Sequence, residues 1–227
     1  MSIDPTFLEA IQKGDAKKVQ RFLEGDPDLA HETDEHGLSP ILIAAYHHRT
    51  DVAEVIASQV GLLNIFEASA LGKTAHIIRI LARDPQLVDS SSVDGFQPLG
   101  LAAFFGHRET ADYLIGAGAP INASSNNPLK VTPLHSAVAG NHSAVAELLL
   151  KCGADPNLRQ AGGFTPLHTA ARNGQVDILR MLLINGADLK VQSDDGKTAL
   201  DMAKEADHRD AVEYLKMEIT KRLRKKS

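Results

Sequence analysis

Thr132-Pro133-Leu134-His135-Ser136-Ala137 and Thr165-Pro166-Leu167-His168-Thr169-Ala170 are near copies set 33 residues apart. Each leads into a second apolar stretch that ends on glycine, Leu148-Leu149-Leu150-Lys151-Cys152-Gly153 in one and Leu182-Leu183-Ile184-Asn185-Gly186 in the other. A period of this length is the mark of a repeat architecture, so we extend the frame outward in both directions. Pro40 and Pro98 also stand four residues before an alanine, Ala44 and Ala102. A glycine eight residues after the reference position, Gly106 and Gly174, recurs as Gly14 and Gly72 and locates units at Thr6 and Asn64. Thr198-Ala199-Leu200-Asp201-Met202-Ala203 supplies a last unit without the proline. The reference positions are 6, 40, 64, 98, 133, 166 and 199, seven units with spacings of 34, 24, 34, 35, 33 and 33.

Each recurring position has a physical task. Ser39, Thr132 and Thr165 offer a side-chain oxygen to cap a first helix, and proline at the next position loses nothing by lacking an N–H. The pairs Ala44-Ala45, Ala102-Ala103 and Ala170-Ala171 keep one helix face thin enough for a neighbouring helix to approach closely. Gly118, Gly153 and Gly186 suit the left-handed end of a second helix, and Gly37, Gly95, Gly163 and Gly196 a tight projecting turn.

These motifs resemble the ankyrin repeat family, and the weaker copies extend the resemblance from residue 4 to about 216. It implies an all-α solenoid of stacked helix-turn-helix units with short projecting β-hairpin fingers. One domain is expected over 1–216, followed by a basic helix end or tail over 217–227. A helix pair cannot bury its apolar face alone, so the outer surfaces of the terminal units must be polar. Lys13, Lys17, Lys18, Arg21 and Glu24 at one end, and Lys204, Glu205, Arg209, Asp210, Glu213 and Lys216 at the other, meet that need.

Three places depart from the pattern. The 24-residue interval leaves no room for a finger after the second helix of unit two, expected at about 51–58. Units one and three end on Asp26-Pro27-Asp28-Leu29 and Asp84-Pro85-Gln86-Leu87, where proline stops the helix, and their common offset of 58 suggests that units one and two duplicate units three and four. The finger Ser124-Ser125-Asn126-Asn127-Pro128-Leu129-Lys130 carries Lys130 where the turn glycine belongs, and is expected to be irregular and mobile.

In the family, partners contact the finger tips and the exposed end of the first helix. Those positions here are Glu35, His36, Leu38, Tyr46 and His47 in unit two, and Val93, Asp94, Phe96, Phe104 and Phe105 in unit four. Unit six adds Ala161, Gly162, Phe164, Arg172 and Asn173. Five of the ten Phe and Tyr residues fall on these positions, and aromatics with arginine are the side chains that most often dominate binding energy. The resemblance therefore implies a non-enzymatic protein–protein interaction module, a scaffold whose concave face and finger tips bind a partner protein. The competing reading of Phe104 and Phe105 folds them over Ala70 and Leu71 to fill the space of the deleted finger.

Composition excludes several alternatives. With 43% hydrophobic and 23% charged residues the chain is neither disordered nor fibrous, and it has no basic, apolar leader or membrane-length apolar run. A cytoplasmic monomer is expected. Cys152 is the single cysteine, so neither an intrachain disulfide nor a cysteine zinc site can form. The ten histidines suggest metal, but His47 and His48 diverge by about 100° on a helix, and His135 and His168 occupy the position of the family's structural histidine. His107, His142 and His208 fall at the start of second helices. No nucleophile elbow or phosphate loop occurs. No catalytic residue, metal or cofactor is expected. The total charge is −5, yet Lys221, Arg222, Arg224, Lys225 and Lys226 carry +5, which leaves −10 on the rest. A basic-tailed adaptor docking on nucleic acid or an anionic membrane is the alternative function, and a structural spacer a third.

Overall fold

The computed structural model describes residues 3–224, and Lys225 and Lys226 of the basic cluster lie outside them. The chain divides into two compact units, residues 1–98 and 99–227.

In the first unit, α1 (Pro5–Lys13), α3 (Pro40–Tyr46) and α5 (Ile65–Ala70) are first helices, and α2 (Ala16–Gly25), α4 (Thr50–Gln59) and α6 (Thr74–Arg83) second helices. First helices pack on first helices and second on second: α1 and α5 meet α3, and α2 meets α4. Phe7, Ile11, Ile41, Val52, Ile56 and Ile77, apolar residues of these helices, are fully buried. In the second unit, α9 (Pro133–Ala139), α11 (Pro166–Arg172) and α13 (Ala199–Glu205) pack in sequence, as do α8 (Arg108–Gly116), α10 (Ser143–Lys151), α12 (Val176–Ile184) and α14 (Arg209–Arg224). The remaining first helix is α7 (Pro98–Phe104).

Capping sets the helix starts. Ser39 accepts from the Leu42 N–H and Thr132 from that of His135, each ahead of its proline. The alanine frame holds in units one and three, where Ala10 and Ala68 accept from the amides of Asp15 and Lys73 as Ala44 does from Arg49. The helix starts nevertheless move by one residue. Asp4 caps α1 so that Pro5 is its first residue, whereas Asn64 stands at the proline position and caps α5, with Glu67 closing a capping box.

The fingers are hydrogen-bonded turns rather than strand pairs. Asp34, Ser92, Gln160 and Ser193 donate their N–H to the carbonyls of Leu38, Phe96, Phe164 and Lys197, and none of the fingers extends into a ladder. Four or five residues are too few for strand pairing beyond the turn. The finger around Ser125 is irregular, as its extra residue requires, but it is tied down. Ser125 Oγ accepts from Val131 N and bonds Asn127 Oδ1, both at 2.8 Å, while Lys130 takes the positive φ (54°) that glycine adopts elsewhere. Asn122 and Asn157 join neighbouring repeats, each donating to the carbonyl of a helix-ending glycine, Gly153 or Gly186, and accepting from the amide two residues later.

The Asp-Pro endings do more than stop a helix. A 3-10 turn follows each, Pro27–His31 and Pro85–Asp89, opened by Asp26 and Asp84 accepting from the amides of Asp28 and Gln86. The two turns repeat one another in backbone angles, with φ/ψ of −147°/94° at Asp26 and −141°/90° at Asp84. The exposed positions of α2 and α14 carry the charged residues expected of terminal surfaces.

Candidate partner-binding surface

Along α3, α7 and α11, burial stops at the same place. Residues 40–45 are buried and Tyr46 is the first accessible side chain; residues 98–103 are buried and Phe104 emerges; residues 166–171 are buried and Arg172 is exposed. Each of these seven-residue helices is buried up to its penultimate residue, so the last side chain is the one that reaches solvent.

In the first unit, His36, Leu38, Tyr46 and His47 line one groove of about 470 Å3, together with Pro5, Leu8 and Gln12. The last three were missed from the sequence, although the same helix-end position in unit one is Gln12. Asp34 shapes the finger by accepting from the amides of His36 and Leu38, both at 2.9 Å. Exposed His36 stands 3.6 Å from the Glu35 carboxylate. Tyr46 is half-buried, and its hydroxyl donates to Asp94 Oδ2 at 2.6 Å. Burial, with the Asp94 hydrogen bond and charge beside it, pushes the phenol far above its ordinary pKa. Ser92 fixes the other side of this carboxylate, bonding Asp94 Oδ1 while accepting from the Phe96 amide. Asp94 and Phe96 are half-buried, so the Tyr46–Asp94 bond is a strut across the deleted finger as much as a contact surface.

In the second unit, Phe104 and Phe105 are half-buried and meet edge to face, with centroids 5.1 Å apart. Phe164 is also half-buried and lies over Gly162, where φ is 76° and an added Cβ would stand 2.6 Å from the ring. Its other neighbours are the Arg172 guanidinium at 5.9 Å and the His168 ring at 6.0 Å. Arg172 and Asn173 are exposed at the end of α11.

The two structural histidines hold fingers in place. His135 Nδ1 lies 2.8 Å from the Thr132 hydroxyl and Nε2 3.2 Å from the Phe164 carbonyl; His168 has the equivalent partners Thr165 and Lys197. A carbonyl only accepts, so Nε2 carries a proton in both rings, and His168 Nδ1 accepts from the Thr165 amide at 3.1 Å, which leaves that ring neutral. Burial lowers the His135 pKa to about 4, against the opposing pull of the Phe164 carbonyl. Burial lowers His168 in the same direction. Among the described residues no three His, Cys, Asp or Glu side chains gather as a metal site would require.

The basic end is a continuation of α14 as far as Arg224. Arg222 donates to the carbonyls of Leu183 and Ala187 at the end of α12, and Lys221 pairs with Glu218 at 3.2 Å. No described helix is long and apolar enough to cross a membrane.

Paired helices in regular succession, with turns projecting between pairs and alanine faces at the contacts, define a helical repeat protein of the solenoid class. Compared with known families, the chain matches ankyrin repeats (3 copies) over residues 65–160, 120–193 and 152–225. The chain belongs to the ankyrin repeat family. No curated protein matches it.

Proposed function

We propose that this chain, a member of a family whose repeats are generally protein–protein interaction modules, acts as a monomer and binds a partner protein through the ends of its first helices and its finger tips. The observation that carries the reading is the common point at which burial ends, at Tyr46, Phe104 and Arg172. An aromatic or arginine stands at each, the residue types that bury most area for least lost rotamer freedom. The groove beside Tyr46 and the ring cluster around Phe164 support it, because both present preformed shape at little ordering cost. A stable complex buries about 1,600 Å2 in total. The nucleic-acid or membrane reading is weaker, since Lys221 and Arg222 are engaged within the chain.

The test is affinity capture from the source cell with the intact chain and with Phe104→Ser, Phe105→Ser, Arg172→Glu, both first shown to melt at similar temperatures. A protein retained by the intact chain and lost by the variant upholds the reading. Retention by both at equal stability contradicts it.

A further inference from the structure

The interval between the second and third repeats is 24 residues where its neighbours are 34, so ten residues that would form a finger are absent. Five residues, 60–64, connect α4 to α5 in their place. Val60 and Leu63 turn into the core, while Leu62 is 71% exposed. The fingers on either side come together over this gap: a Cβ on Gly37 would stand 3.5 Å from Val93 Cγ1, an ordinary van der Waals contact. Beneath them lies a cleft of about 440 Å3, within the size range of ligand sites, whose apolar lining includes Leu42, Val60, Leu62 and Phe66.

One ionisable carboxylate lines this cleft. Glu67 is only 7% exposed, and its Oε2 accepts from the Asn64 amide at 3.0 Å. No cation pairs with it among the described residues, and no lysine or arginine lines the cleft. The capping hydrogen bond and the N-terminal end of α5 hold the carboxylate, but neither supplies a full positive charge, so a cation that reaches the cleft can still add a charge-assisted pair.

We propose that the cleft receives a lysine or arginine carried on a short turn or extended segment of a partner protein. The aliphatic stem packs on Leu42, Val60 and Phe66, and the charged head pairs with Glu67, in the manner of long basic side chains that lay apolar stems along apolar walls. The segment takes the place of the missing finger. Glu67 and Ser91 lie outside the helix-end surface, so this proposal and the helix-end reading fail independently.

The probe is the capped peptide acetyl-Gly-Val-Arg-Val-Gly-amide, titrated into the full chain and followed by amide NMR shifts, beside the same peptide with neutral citrulline for arginine. Saturable shifts centred on Thr33, Asn64 and Ser91 are expected, with the citrulline peptide at least tenfold weaker. Glu67→Gln keeps the capping box, since glutamine serves that position equally, and it abolishes the preference for arginine. Ser91→Arg, at an exposed position on the cleft wall, fills the cleft from within and blocks the peptide. No shifts at these amides, equal affinity for the two peptides, or an arginine preference that survives Glu67→Gln overturns the proposal.

Discussion

A histidine buried at the third position of a first helix ties the stability of this chain to pH. His135 is 1% exposed and its pKa falls from an ordinary 6.5 to about 4, so the unfolded chain binds a proton there before the folded one does. Its contribution is complete above pH 6.5 and is lost as the pH falls through the folded value. Between pH 7.5 and 4.5 urea unfolding is expected to lose about 2–3 kcal/mol from this group. His135→Gln removes that component; an unchanged pH dependence in the variant counts against the assignment. Lys130 makes a second case, because its positive φ strains any side chain. Lys130→Gly is expected to stabilise by about 1 kcal/mol, read as a higher urea midpoint at constant slope. The capping residues and the His135 position were legible, because Thr132-Pro133 and His135 recur at 165, 166 and 168. The Tyr46–Asp94 bond was not, since its partners are 48 residues apart and meet only because a finger between them is missing.

At the scale of elements, Tyr46 and Arg222 each hold one helix end. Tyr46→Phe leaves Asp94 without its hydroxyl donor across the deleted finger, and a loss of about 1–2 kcal/mol is expected in thermal unfolding. Arg222→Ala frees the carbonyls of Leu183 in α12 and of Ala187 just beyond it and is expected to cost about 0.5–1 kcal/mol; no change would mean that α14 past Leu215 is stabilised otherwise. Helix order followed from the recurring proline, alanine and glycine positions, and α4 extends by a single residue at each end beyond the expected 51–58. The ends of some elements escaped for identifiable reasons. Asp4 and Asn64 move two helix starts by one residue through capping, and Asp-Pro opens a 3-10 turn as readily as it stops a helix. Beyond Leu215 the exposed Met217 and Leu223 give α14 no buried stripe, so periodicity had nothing to report there.

For the whole molecule, the family and the all-helical fold were legible because two adjacent copies of one motif fix a frame for the weaker copies. The candidate surface was legible only as positions. All eleven residues His36, Leu38, Tyr46, His47, Asp94, Phe96, Phe104, Phe105, Phe164, Arg172 and Asn173 are half-buried or exposed, but which of them share a groove required the fold. The same architecture serves unrelated partners, so side chains rather than the fold must select one, and we propose that those at the helix ends do so. The most direct test of that claim is hydrogen exchange on the chain alone and in complex with the captured partner. The account predicts slowed exchange at 35–38, 46–48, 104–106 and 172–174 with α8, α10 and α12 unchanged; protection confined to those second helices or to 216–224 would contradict it.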